Sequence, residues 1–300
     1  MIDDAVETGI IEPEALSALL ANDEAPSIKI LDATFSLPGS NENPYHDYLK
    51  RRIHDAQFFD IKNIASSASS LPNMLPSAEE FETHMGNMGI SNDDFVIVYG
   101  QSGMVMGPAR AWWMFRAFGH ERVCVLNGGL PAWLKEGHAL TEGLPPSVSA
   151  GSYSAELDDA LVRDLGDMLD ITADDNEHDC LILDARSEGR FSGKMAEPRP
   201  GMRSGHIPGS LNLPCINLID HETGKLKSAD ELSAIFDDIG FEEDTPLITT
   251  CGSGVTACVI SLALFNLGHE NIPVYDGSWS EWGRENAPTE VEISENDESE

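Results

Sequence analysis

Of the five cysteines, Cys124, Cys180, Cys215, Cys251 and Cys258, one lies in a setting suited to chemistry. Cys251 ends an apolar, β-branched run (PLITT, 246–250) and opens the loop CGSGVT, which leads into the helical pattern ACVISLALFNL. A strand that stops at a cysteine puts the thiol at the carboxyl end of a parallel sheet, where open α/β folds bind their ligands. Gly252 and Gly254 allow the backbone to curl so that N–H groups turn toward the sulfur. The start of the following helix adds its positive end. Together these features favour the thiolate, which is the nucleophilic form. A plain βα turn around a packing cysteine would give the same local pattern, so this stretch alone leaves both readings open.

The other cysteines differ. Cys124 (RVCVLNG) and Cys180 (CLILDA) lie in apolar, strand-like runs and read as small buried hydrophobes. Cys215 and Cys258 read as packing residues, with a regulatory disulfide as the alternative. An odd count without a CxxC or a metal-like Cys/His spacing argues against a disulfide framework or a zinc site. No metal or cofactor is expected.

The elements that position Cys251 occur twice in the chain. Ile30-Leu31-Asp32-Ala33 returns as Ile182-Leu183-Asp184-Ala185, and Gly119-His120-Glu121 as Gly268-His269-Glu270. Gly128 and Trp133 (NGGLPAW) return as Gly277 and Trp282 (DGSWSEW) at nearly the same spacing. Three matches in register imply two copies of one fold. In the same register, Gly100-Gln101-Ser102-Gly103 aligns with Cys251-Gly252-Ser253-Gly254, so the loop is present twice and only one copy carries a nucleophile. That asymmetry favours the chemical reading of Cys251.

Within each copy, short apolar runs alternate with helical patterns. The strands expected are 28–32, 95–99 and 122–126, then 180–184, 246–250 and 272–275; the helices expected are 77–87, 107–118, 228–239 and 256–267. Ser77 with Glu80 forms a capping-box pattern. Such alternation predicts an α/β fold with two tandem domains, each a mainly parallel central sheet flanked by helices. The chain length of 300 residues also suits two domains of roughly 100–200 residues each. The expected organisation is an N-terminal domain over 1–142, a linker rich in Pro, Gly and Ser over 143–158, a C-terminal domain over 159–288 and a disordered acidic tail over 289–300.

The 52 acidic and 18 basic residues give a net charge of −34. A surface of that sign repels phosphate backbones, which argues against nucleic acid as a partner. It reads as a strongly solvated surface or a docking face for a basic partner. No run is apolar over the roughly 18 residues that a bilayer span needs, and MIDDAVETGI lacks the pattern of a secretory signal. The expectation is a cytoplasmic enzyme without a membrane partner.

The run CGSGVTA resembles the active-site signature of the 3-mercaptopyruvate sulfurtransferases. The tandem arrangement with a cysteine in the second copy alone resembles the long rhodanese-like sulfurtransferases, and GHIPGS (205–210) and DGSWSEW are similar to further hallmarks of that family. The resemblance covers the chain to about residue 288. It implies an inactive first domain, with Gly100 at the cysteine position, and a catalytic second domain. Cys251 and Ser253 would be the catalytic residues, and Gly252, Gly254, Val255 and Thr256 would line the substrate loop. The segment 184–203 holds Arg186, Arg190, Lys194, Arg199 and Arg203 against Asp184, Glu188 and Glu197, an excess of two positive charges in an acidic chain. Guanidinium groups suit bidentate carboxylate binding. The resemblance gives Arg190 and Arg199 the carboxylate and carbonyl of mercaptopyruvate, whereas Arg186, directly after a strand, reads as structural. Some relatives use an Asp and a His of the first domain to polarise the loop serine. Lys62 and Asn73 stand at those positions here, so no charge relay is expected, and His54 nearby reads as a surface residue.

The expected reaction is a double displacement: a Cys251 persulfide forms from 3-mercaptopyruvate with release of pyruvate, and a thiol, reduced thioredoxin or cyanide removes the outer sulfur. Thiosulfate:cyanide sulfurtransferase activity is the alternative, although relatives that use thiosulfate carry basic residues in a loop that is uncharged here. A non-catalytic sulfur-relay module is the third reading. Cysteine-dependent phosphatases share the cradle but need an arginine six positions after the cysteine, where Ala257 stands.

Overall fold

The computed structural model describes residues 1–37, 39–173, 180–243 and 245–294. Its first sheet contains β1 (Ile10–Ile11), β2 (Ile28–Asp32), β3 (Gln57–Phe58), β4 (Phe95–Tyr99) and β5 (Val123–Leu126) in the order β1-β5-β4-β2-β3. The second contains β6 (Val162–Arg163), β7 (Leu181–Asp184), β8 (Leu211–Asn212), β9 (Leu247–Thr250) and β10 (Val274–Tyr275) in the order β6-β10-β9-β7-β8. Every pairing is parallel, and the two orders are the same topology. The repeat seen in the sequence is thus a repeat of fold. Sheets covered on both faces need continuous apolar strands; β4, FVIVY, is buried at all five positions.

The long helices fall where the apolar periodicity puts them, over Ala78–Asn87, Met106–Ala117, Ala229–Asp238 and Ala257–Asn266. Ser77 and Glu80 form the expected capping box, and Ser228 with Glu231 repeats it in the second copy. The Met106–Ala117 and Ala257–Asn266 helices are buried on nearly all sides. A helix apolar all round must be covered all round, and these two cover each other across the domain boundary. Trp112 meets Phe265 edge to face with centroids 5.2 Å apart, and the Arg116 guanidinium lies over the Phe265 ring. One continuous apolar cluster therefore runs through both domains.

The stretch 143–158, expected as the linker, is hydrogen-bonded along its backbone to the first domain. Arg52 donates to the carbonyls of Gly143 and Leu144, Gly151 N–H donates to Gly86 O, and Tyr153 is buried against Phe81. The expected tail begins in an ordered segment. Arg203 donates to the Thr289 carbonyl, Trp282 Nε1 donates to Glu290 O, and His206 and Glu292 exchange backbone hydrogen bonds. Local acidity concealed these backbone pairings, which depend on distant partners; 295–300 lie outside the described residues. Among the described residues, no helix is long and apolar enough to cross a membrane.

A core shared by both domains predicts a single cooperative thermal transition. Phe265→Ala should destabilise the whole chain by about 3–5 kcal/mol, the usual cost of truncating a buried aromatic. Calorimetry checks this, and two separate transitions in the wild-type protein would contradict it.

Candidate active site

Cys251 follows β9 directly and is 2% exposed. Its loop is clamped from beneath by the segment after β10. The carbonyls of Cys251 and Gly252 accept from the N–H groups of Trp279 and Ser280, both at 2.9 Å. Ser278 Oγ accepts from the N–H groups of Cys251 (3.2 Å) and Gly254 (3.0 Å) and donates to Tyr275 O (2.7 Å). Two loop N–H groups therefore turn to Ser278. The N–H groups of Gly252, Ser253, Val255 and Thr256 have no protein acceptor among the described residues, and they remain available to a thiolate or an oxyanion.

Ser278 holds φ at +48°, in the left-handed region that favours glycine. Its matched position in the first copy is Gly129, at φ +56°, where a Cβ would stand 2.5 Å from Gly100 O. The copy with the cysteine accepts backbone strain in exchange for a hydroxyl beneath the loop; the copy without it has glycine and no room for a side chain.

A narrow cleft over Cys251 is walled by Phe35 and Leu37 of the first domain and by Arg190, Pro198 and Arg199 of the second, with Gly252, Ser253, Val255 and Thr256 as its floor. The four arginines of 184–203 separate here by partner. Arg186 is locked by Asp184 and Glu197, as its position after the strand suggested, and Arg203 serves backbone carbonyls. Arg190 lies against Gly252, with Nε and Nη2 bound to Glu197. Arg199 makes no ion pair among the described residues; its Nη2 donates to Ser253 Oγ at 3.3 Å. Burial, and then the like charge of Arg190, make the protonated form of Arg199 less favourable than usual. A bound anion would remove that cost.

Ser253 also accepts from Asn73 Nδ2 of the first domain at 2.9 Å. An amide cannot relay charge, so no relay operates, yet Asn73 does reach the serine. With two donors on Ser253 Oγ, the hydroxyl proton is left for the cleft. Asn73 has φ +61°, and its matched position in the second copy, Gly224, has φ +70°. Lys62 lies over the Phe35 ring and lines an adjoining cleft without contacting Ser253. His54 is a surface residue paired with Asp55.

All five cysteines are unpaired. Burial pushes Cys215 and Cys258 up to about 12 and raises Cys124 and Cys180, so these four remain protonated near neutrality. Cys180 is only partly buried, because β7 starts one residue after it.

Sequence reasoning missed Arg110. This fully buried first-domain side chain donates from Nη1 to Gly254 O (3.0 Å) and from Nη2 to Asn73 O (2.6 Å), and it stands 2.7 Å from Asp276 Oδ1. A lone cation in the apolar stretch PARAWWMF was the available signal.

Two stretches of the chain, 12–136 and 165–285, match the family described as Rhodanese-like domain. The chain is 42% identical over 268 residues to 3-mercaptopyruvate sulfurtransferase of Escherichia coli K12, covering 88% of this chain and 92% of the relative. It is also 42% identical over 273 residues to thiosulfate sulfurtransferase of Rattus norvegicus, covering 90% and 89%. Among solved structures, Tum1 of Saccharomyces cerevisiae superimposes with a TM-score of 0.83 at 32% identity (91% of this chain, 94% of that one). The 3-mercaptopyruvate sulfotransferase SseA of Escherichia coli superimposes with a TM-score of 0.80 at 38% identity (91% and 100%).

Asn73→Gly keeps the backbone conformation and removes the amide. It should leave the melting temperature nearly unchanged and cost about 1 kcal/mol in turnover, the worth of one hydrogen bond. Steady-state kinetics alongside thermal melting checks this, and unchanged turnover would show that Ser253 needs no first-domain partner.

Proposed function

We propose, from the premise that the chain belongs to the rhodanese-like family, that it transfers sulfur from 3-mercaptopyruvate through a persulfide on Cys251. The chain is a sulfurtransferase, since relatives of that activity cover nearly all of it at 39–42% identity. Identity does not choose the donor, because relatives named for mercaptopyruvate and for thiosulfate stand equally near. The observation that carries the choice is Arg199, a guanidinium without a carboxylate partner among the described residues, beside Ser253 and in one cleft with Cys251.

Mercaptopyruvate carries its carboxylate and carbonyl at one end and its sulfur at the other. Arg199 and the free Nη1 edge of Arg190 hold the charged end while the sulfur reaches Cys251. The thiolate attacks that sulfur, the carbon–sulfur bond breaks, and its electron pair passes to the enolate of pyruvate. Ser253, whose oxygen already accepts two hydrogen bonds, presents its proton to that oxyanion, and the free loop N–H groups and Thr256 add to the stabilisation. The enolate takes up a proton and leaves as pyruvate. A thiol, reduced thioredoxin or cyanide then attacks the outer sulfur and regenerates the Cys251 thiolate. Five unpaired cysteines suit a reducing cytoplasm, where such thiol acceptors are present.

Thiosulfate has its charge next to the attacked sulfur and needs cations in or against the loop. Arg190 already occupies that space: a Cβ on Gly252 would stand 2.8 Å from its Nη2. Adding an arginine at Gly252 would displace Arg190, so Ser253 is the better position for such a change.

Mercaptopyruvate should exceed thiosulfate in kcat/KM. Arg199→Ala or Arg190→Ala should lower the mercaptopyruvate value by ~1.5–3 kcal/mol, the worth of a charge-assisted hydrogen bond. Arg199→Lys should restore only part, since it keeps the charge without the fork. A wild-type preference for thiosulfate, or normal mercaptopyruvate kinetics in both alanine variants, would refute the assignment.

A further inference from the structure

The two copies of the loop are held in the same way, by a segment from the opposite domain, and their supports can be compared position by position. In the half without the thiol, Leu226 N–H donates to Asn127 Oδ1 at 2.9 Å. In the half with it, Leu75 N–H donates to Asp276 Oδ2 at 2.7 Å. Leu75 and Leu226 occupy matched places in the repeat, as do Asn127 (NGG) and Asp276 (DGS). One support is a neutral amide and the other a carboxylate with a 4% exposed side chain.

The charge on Asp276 is answered from across the domain boundary by Arg110, whose side chain is fully buried. Counting from the helix starts at Met106 and Ala257, the residue matched to Arg110 is Ser261, a small neutral group bonded to Thr249 Oγ1. The ion pair therefore exists only where the loop carries the cysteine. Burying such a pair carries a large desolvation cost, and neutral groups often serve stability as well. The half without the cysteine closes the same contact with no fully buried ion pair, its cross-domain Lys225–Glu12 pair being partly exposed, so stability alone does not account for burying Arg110 and Asp276.

Its contacts indicate another role. Arg110 Nη1 fixes the carbonyl of Gly254, a residue at φ +71° whose Cβ would stand 2.9 Å from that nitrogen. Arg110 Nη2 fixes the carbonyl of Asn73, itself in the left-handed region. Nη2 also stands 2.7 Å from Asp276 Oδ1, an ionic contact outside hydrogen-bond geometry. One planar guanidinium thus holds both ends of the route to Ser253: the loop that carries it and the residue that donates to it.

We propose that Arg110 and Asp276 form a positioning pair by which the first domain sets the shape of the sulfur-carrying loop. This rests on Cys251 as the reacting thiol and not on the choice of sulfur donor. The first domain, without a nucleophile of its own, is then a working part of the site.

The test uses the full chain with Asp276→Asn, which copies the silent half, Arg110→Lys, which keeps the charge without the fork, and the double variant Arg110→Met/Asp276→Asn, which leaves no unpaired buried charge. Each is followed by thermal melting, by kcat and KM, and by the rate at which a neutral alkylating reagent modifies Cys251. The folded variants should lose about tenfold or more in kcat, with KM changed less than about threefold, and Cys251 should be alkylated more slowly. If Asp276→Asn unfolds, the lysine and double variants give the same comparison. Wild-type kcat and alkylation rate in any of the folded variants would overturn the proposal. A wild-type protein that transferred no sulfur would instead refute the reading of function, while alkylation would still report on the loop.

Discussion

Arg110 lies in a helix of the first domain, yet its guanidinium holds the carbonyl of Gly254 in the loop of the second, and a carboxylate from the second domain neutralises it. A buried cation with hydrogen-bond partners on both sides of a boundary fixes the distance between the two bodies, because withdrawing any partner leaves a charge or a carbonyl uncompensated. The rest of the site depends on that fixed distance. Asn73 meets Ser253 only if the domains stay in register, and the cleft over Cys251 has walls from both. The apolar contact between Trp112 and Phe265 joins the domains, and the polar contacts around Arg110 set how they are joined.

Much of this fold could be read from the sequence because its strands and long helices are strongly patterned. The β-branched run FVIVY and the capping residues Ser77 and Glu80 specify their elements locally, and the matches between copies reveal the tandem arrangement without reference to any contact. Cys251 was legible through its contrast with Gly100. The supporting residues were not, because their roles depend on contacts across the domain boundary. Asn73 looked like the loss of a relay, yet its tolerance of positive φ places an amide where it can still donate to Ser253. The mismatches between copies carried the missing signal. Ser278 against Gly129, Asp276 against Asn127 and Arg110 against Ser261 each mark a position where the copy with the cysteine holds strain or fully buried charge and the other copy does not.

Composition misled where backbone pairing with distant partners decided the outcome. The Pro/Gly/Ser-rich connection and the start of the acidic tail lack local signals for helix or strand, yet both are fastened by carbonyls that accept from buried or partly buried arginines, Arg52 in one case and Arg203 in the other. The same long-range view separates the arginines of 184–203, which the sequence presented as one cationic cluster. Arg186 is bound to Asp184 and Glu197, Arg190 is braced by Glu197, and Arg199 faces Ser253 with no carboxylate of its own among the described residues.

The central claim is that sulfur resides on Cys251 after leaving mercaptopyruvate. Intact-mass and peptide mass spectrometry of the full chain, mixed with 3-mercaptopyruvate in the absence of an acceptor, tests it most directly. The account predicts the gain of one sulfur atom on the peptide that contains Cys251, its removal by added thiol or cyanide, and no gain in Cys251→Ser. A persulfide on another cysteine, or pyruvate released over many turnovers by Cys251→Ser, would contradict it.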